Sequence, residues 1–275
     1  MTVLVSTTLL LGAGFSSIAA AQTSGRWLEV SRISGSVTYQ RSGSRAARVG
    51  DRLEAPGHGV STADRASTTL ALDTAIGSIN VAANTEVWIQ QLAIASDGGR
   101  ITILDVPRGQ ARIQVRTFTN PSSRLELHTP SGVAAVRGTD FGIIVSDDGR
   151  TAIGTDEGAV EASAQGVRVI VEPDFASVIR PGEPPSEPQP LDRELALQVV
   201  NLTRRGDQIN LEGRINPTNQ LLFNGEDVPV RRTGYFRTSV SLPPLRRLEL
   251  TVQNPLGEER TYRFPSWRVD DPDRN

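Results

Sequence analysis

Ala134-Ala135-Val136-Arg137-Gly138-Thr139-Asp140-Phe141-Gly142-Ile143-Ile144-Val145 is a short apolar run, a charged turn built on glycine, and a strand that restarts at once. Units of the same kind recur from Trp27 to Val178, among them Gly35–Tyr39, Thr68–Leu72, Ser78–Val81 and Glu86–Ile89. Arg100–Leu104, Gln110–Val115, Arg124–Leu127, Thr151–Ile153, Ala159–Ala162 and Val167–Val171 continue the series. Alternation with period two, rich in β-branched residues, marks strands buried on one face. Their close spacing and glycine-marked turns predict an all-β protein with almost no helix, a roll or sandwich or else an irregular solenoid of short strands. No strict repeat period decides between these forms.

Within the opening stretch, Arg137 and Asp140 flank Gly138-Thr139, and Phe141 restarts the strand. The two charges are expected on opposite sides of the turn, tying separate loops together, with Gly138 allowing positive φ or close backbone approach. A buried Arg137 needs a carboxylate or carbonyls for its fork of donors. Arg137, Gly138, Thr139, Asp140 and Phe141 therefore form a structural motif.

The β series (27–180) gives way to a stretch at 181–192 rich in proline and acidic residues. Without an apolar period it is expected to form no ladder, and to be an extended, stiff linker that few contacts cross. Beyond it, residues 193–267 hold about seven short apolar runs, the count of a small sandwich. Asn224-Gly225 suits a tight turn between Leu221–Phe223 and Val228–Val230. A charged tail, 268–275, ends the sequence.

Residues 1–21 carry no charge and end in Ala19-Ala20-Ala21, as a cleaved signal peptide would. The basic start usual in such signals is missing, since no Arg or Lys precedes Arg26, and the length also suits a short membrane anchor. Cleavage would leave no stable transmembrane segment, and the expected location is the periplasm or the secreted or cell-surface space. The chain has no Cys, so an exported protein of this kind must rest on its own cores. Its 29 basic residues are all arginine, spread among 31 acidic ones for a net charge of −2. That balance argues against a nucleic-acid partner, whose phosphates require a concentrated basic face.

A series of motifs in order carries a resemblance. They are Val49–Leu53, Gly59–Thr62, Ala66–Leu72, Asn84–Val87, Pro107–Ala111, Leu127–Gly132, Val136–Phe141 and Asp156–Glu161. Over residues 33–180 the chain resembles a FecR-type domain, the β-rich extracytoplasmic module named after the iron-citrate signalling protein. The resemblance implies the fold; for function it implies either an anti-sigma regulator or a secreted multidomain protein. The regulators place a cytoplasmic segment and a membrane span before this module, whereas here an export signal is expected directly before it. Asn216-Pro217, Phe223–Gly225, Val228–Val230, Gly234–Phe236 and Val240–Pro243 resemble bacterial Ig-like domains, over roughly 193–265.

No nucleophile stands near a base, and the two histidines, His58 and His128, lie far apart and away from any triad or ligand set. They are expected to be ordinary surface or half-buried residues. Ser146-Asp147-Asp148-Gly149 could hold calcium, but hairpin-turn chemistry accounts for it without a metal. No catalytic residue, metal site or cofactor is assigned. Trp88 should face opposite to Val87 and Ile89, and one ring of the Tyr235-Phe236 pair should face solvent. Trp88 and Tyr235 are the expected partner contacts. Trp27 and Trp267 are expected to pack at domain edges. The leading expectation is a non-enzymatic exported scaffold or binding protein of the cell envelope or surface, its partner an envelope protein or a cell-wall or surface polysaccharide. The alternative is an extracytoplasmic sensor or regulatory accessory acting through a separate membrane protein.

Overall fold

The computed structural model describes residues 25–73, 76–206, 208–241 and 247–265. The expected signal at 1–21, Trp267 and the tail at 268–275 lie outside them. All regular elements among the described residues are β-strands. In the first unit these are β1 (Leu28–Ser34), β2 (Val37–Gln40), β3 (Ser44–Ala46), β4 (Arg52–Leu53), β5 (Gly59–Thr62) and β6 (Ser67–Leu72). There follow β7 (Gly77–Val81), β8 (Glu86–Ile94), β9 (Arg100–Val115), β10 (Arg124–His128), β11 (Val133–Val136) and β12 (Asp140–Val145). The last are β13 (Thr151–Glu157), β14 (Val160–Ala164), β15 (Val167–Val171), β16 (Phe175–Ile179) and β17 (Gln189–Pro190).

These strands make two sheets that share one strand. The first runs β4-β1-β6-β7-β9-β12-β13-β16-β17, and the second β3-β2-β5-β8-β9-β10-β11-β14-β15. Only the β9–β10 pair is parallel among the described pairings. Arg100–Leu104 and Gln110–Val115, which read as separate strands, are two ends of β9, 16 residues long. Its first part pairs with β8 and β10 in the second sheet, its last part with β7 and β12 in the first. Between them the inward phase slips: Leu104 and Val106 face the core, then Ala111 and Ile113. Gly109, with φ of 91°, absorbs the slip; a Cβ there would lie 2.3 Å from Thr85 Oγ1.

Leu70, Ile79, Ile113, Phe141 and Ile153 of the first sheet meet Val60, Val87, Leu104, Leu125 and Leu127 of the second in one buried cluster. Antiparallel neighbours facing a common core make this a sandwich rather than a solenoid, whose coils would stack in parallel.

The second unit is smaller. β18 (Gln198–Arg205), β19 (Gln208–Arg214) and β22 (Tyr235–Ser241) form a three-stranded sheet. β20 (Gln220–Phe223), β21 (Glu226–Val228), β23 (Arg247–Gln253) and β24 (Glu259–Pro265) form a four-stranded one in the order β21-β20-β23-β24. Ile209, Leu211 and Phe236 pack with Leu221, Phe223, Leu248 and Val252 between them. Asn224 and Gly225 close β20–β21 with φ of 51° and 89°, the left-handed pair that a two-residue hairpin turn requires.

The proline-rich stretch departs from expectation, because it does form a ladder. Ser186 N donates to Val178 O at 2.9 Å, the Ser186 hydroxyl oxygen accepts from Val178 N at 3.0 Å, and β17 pairs with β16 through Phe175↔Pro190 and Ala176↔Gln189. Ser186 and Leu191 supply the backbone donors that the prolines lack, and an edge strand tolerates proline. Leu191 is buried against Ala176 and Leu256.

Candidate interaction site

The outer face of the first sheet is covered where β12 and β13 cross it. Register places Asn80, Arg112, Gly142, Gly154 and Ala176 in one row across five strands, all outward. The row is shallow at its glycines, and the turn between β23 and β24 fits into it. A Cβ on Gly142 would stand 1.9 Å from the Pro255 carbonyl oxygen, and one on Gly154 would stand 3.1 Å from Pro255 Cβ. Glycine inside a strand here serves close approach by another backbone. In the neighbouring row Ile144 and Ala152 are also fully buried. This explains why Phe141–Val145 reads as continuously apolar rather than alternating: both of its faces are covered.

The inserted turn is held in shape from within. Asn254, itself buried, accepts from the backbone of Leu256 and Glu258 at 3.1 Å each and donates to Asp192 O at 3.1 Å. Beside it, Gln110 donates to Asn254 O at 3.2 Å and accepts from Gln253.

Charged clusters stand at both ends of this junction. At one, Arg112 on β9 donates to Asp140 at 2.9 and 3.1 Å and to Asp156 at 2.6 Å. Arg193 reaches Asp156 and Asp174 at 2.9 Å each and Glu258 at 2.6 Å. The Arg193 hydrogen bond, supported by the Arg112 charge, holds the Asp156 carboxyl below the usual carboxylate range. At the other end Arg150, only 2% exposed, has no ion-paired carboxylate among the described residues. It donates to Pro217 O at 2.8 Å, Asn219 O at 3.0 Å and Ser146 Oγ at 3.2 Å. Nearby, Asp227 accepts from Gln220 at 2.8 Å and from the Asp147 backbone at 3.2 Å; burial pushes its pKa up.

Between the two units lies an open cleft of about 580 Å³, lined in part by Asn84, Gln110, Asp147, Gln220, Asp227 and Gln253. It continues past Gln110 and Gln253 into a hollow of about 390 Å³ beside Thr69, Asn80 and Arg112. The amides Asn84, Gln110, Gln220 and Gln253, which both donate and accept, share the cleft with Asp64, Asp147, Glu226, Asp227 and Glu259 and with Arg65 and Arg108, a lining that suits recognition of a polar partner. Among the described residues no group of three acidic or histidine side chains could hold a metal ion.

The expected motif is divided by the structure. Phe141 is fully buried, Thr139 donates to Ala159 O at 3.1 Å, and Gly138 (φ 135°) lies against Thr117. Asp140 does tie loops together, but its arginine is Arg112. Arg137 is exposed and donates to Pro121 O at 2.7 Å, so the expected buried Arg137 bracket is corrected. The physical reason is register: Asp140 pairs with Gln114 and Arg112 with Gly142, so Arg112 and Asp140 are diagonal neighbours on the outer face, and Arg137 lies beyond the strand end. Trp88 is half-buried on the outer face of the second sheet, packed over Gly59, with Nε1 3.3 Å from Glu86. Tyr235 lies on the second unit with its hydroxyl 2.8 Å from Glu212, while Phe236 fills the core. Trp27 is half-buried beneath the Arg52 guanidinium, 4.3 Å from the ring centre. His58 is buried, not at the surface; its Nδ1 accepts from the Glu54 backbone at 3.2 Å, and burial lowers its pKa. His128 bonds Glu126 at 3.1 Å. Ser146–Arg150 is a hairpin turn closed by backbone hydrogen bonds.

Arg112, Gly142, Gly154, Arg150 and Pro255 do not stand out in the sequence reading. The two mid-strand glycines were the available signal for a close backbone approach.

Fold and site together define a two-unit β framework with a polar cleft between the units. Residues 59–161, from β5 into β14, match the sequence model of the family described as FecR protein. No curated protein sequence matches the chain. Two crystal structures of a candidate anti-sigma factor from Parabacteroides distasonis align over 53% of this chain and 68% of theirs. Both are 15% identical to it, with TM-scores of 0.42 and 0.41. A polysaccharide lyase aligns over 91% of this chain and 40% of its own, at 10% identity and a TM-score of 0.20. Among the described residues no helix is long and apolar enough to cross a membrane.

Proposed function

We propose that this chain is an extracytoplasmic sensor or regulatory accessory that acts through a separate membrane protein. The observation that carries the reading is the FecR-family match at residues 59–161, whose strands form the floor of the cleft and the groove for the Pro255 turn. A regulator of this kind needs a surface that recognises a partner and a second unit held in fixed relation to it. The docked turn and the polar cleft supply both. The anti-sigma likeness agrees in kind but adds no weight of its own. A passive envelope scaffold remains the second reading, supported by the same stiff β frame.

In this proposal residues 193–267 act as an Ig-like module after a 181–192 connection. The order β18-β19-β22 facing β21-β20-β23-β24 supports that assignment, as a seven-stranded two-sheet sandwich. Trp88 and Tyr235 stay as proposed outlying contacts, away from the cleft.

Photo-crosslinking from Asn84 and Gln220 in intact envelopes tests the reading. A single membrane protein captured at both positions is the expected result. Retention on isolated cell wall with no protein adduct would favour the scaffold and overturn the regulator.

A further inference from the structure

The proline-rich stretch walls a cavity of about 340 Å³. Arg180, Arg232, Ser186, Gln189 and Pro217 are among its lining residues. Arg232 is paired with Glu183. Arg180 is not paired with anything: among the described residues its guanidinium has no hydrogen-bond or ion-pair partner, and its Nη2 is shut off from solvent. Arg150, whose Nε also lacks an acceptor, binds the carbonyl of the same Pro217. Three guanidinium groups thus gather around Pro217, and one carboxylate, Glu183, answers them at contact distance. Burial holds the Arg180 guanidinium below its ordinary range, and Arg232 works in the same direction against Glu183. A half-buried guanidinium without acceptors is costly, because protein nitrogens of this kind are nearly always satisfied.

We propose that this cavity binds a small oxyanion group, a phosphate or a carboxylate, held by the Arg180 fork with Arg232 as the second cation. Arginine matches both ligand types through paired N–H donors. The walls from Pro184, Pro185 and Pro217 keep the site shaped before binding, so little ordering is lost on association. Glu183 competes with the ligand for Arg232. The inference stands independently of the regulatory reading, since it rests on this cavity alone.

Calorimetric titration of the full chain with inorganic phosphate, and separately with acetate, tests it, with chloride matching the ionic strength. Saturable binding of either anion is expected, and the stronger of the two tells a tetrahedral from a planar ligand. Arg180→Gln should weaken it by roughly 10- to 100-fold, as loss of charge-assisted hydrogen bonds does. Arg180→Lys, which keeps the charge but not the fork, should fall between. Glu183→Gln frees Arg232 and should tighten binding, a direction that a merely structural ion pair would not give. Absence of saturable binding by both anions, equal affinity in Arg180→Gln, or no tightening in Glu183→Gln would overturn the proposal. If Arg180→Gln does not fold, Glu183→Gln decides it alone.

Discussion

Arg193 and Arg150 close the same junction by opposite means. Arg193 stands in the open, 43% exposed, with three carboxylates around it. Arg150 is shut away at 2% and binds two backbone carbonyls and a hydroxyl, with no ion-paired carboxylate among the described residues. The number of ion pairs would rank Arg193 as the stronger lock. Physical chemistry ranks them the other way. Exposed pairs contribute little after solvation and side-chain entropy, whereas removing a buried donor strands acceptors that water cannot reach. Between the two ends lies the glycine groove, where the contact is backbone on backbone.

The largest effect should come from filling that groove, which breaks both ends together. Gly142→Val places side-chain atoms where the Pro255 carbonyl stands at 1.9 Å from the Cβ position. Neither backbone can yield cheaply, so a loss of roughly 4 kcal/mol is expected in chemical denaturation. Small-angle scattering should show the two units separated. Next comes Arg150→Met, which leaves the Pro217 and Asn219 carbonyls without their donor. It should cost about 2–3 kcal/mol. The loss should be the same at low and high salt, because the site is dry.

Arg193→Ala sharpens the contrast by how little it does. About 0.5–1 kcal/mol is expected at low ionic strength, and the difference from wild type should vanish in salt.

Acid separates the two ends further. Asp156 has its pKa held down, so its contribution is present above the ordinary aspartate range and is lost as pH falls through its folded value. Asp227 is raised by burial, so its contribution is present at low pH and lost as pH rises through its folded value. Stability measured between neutral and acid pH should therefore fall less steeply on the acid side in Arg193→Ala, with Arg112 still holding Asp156. It should lose the opposing rise in Asp227→Asn.

The fold was legible wherever one face of a strand meets solvent. Glu86–Ile89 and Gln110–Val115 alternate, and Asn224-Gly225 turns as its chemistry demands. Phe141–Val145 was legible as strand but not as interface, since continuous burial alone does not name what covers each face. The motif was half legible. Gly138 and Asp140 do bracket loops, but the partner Arg112 is 28 positions away from Asp140 in sequence and is found only through strand register. Arg137, beside the turn, looked the natural mate and is a surface residue. Arg137→Ala should shift the melting temperature by no more than about a degree, the smallest effect among these variants. The proline-rich stretch misled for a related reason. Proline content predicts missing donors, but not that Ser186 and Leu191 fill in for them.

Both sheets take their alignment from β9. A one-residue deletion near Thr102 would turn Leu104 and Val106 toward solvent while leaving Ile113 inside, because only the leading segment would slip against β8 and β10. A deletion past Gly109 would do the reverse and scramble β7 and β12. The Pro107–Gly109 phase slip is the one place along this strand where an added residue can be taken up without inverting either face. Natural length variation within β9 should therefore collect there, and engineered insertions of a tag or a fluorophore site should survive at that point and nowhere else along the strand.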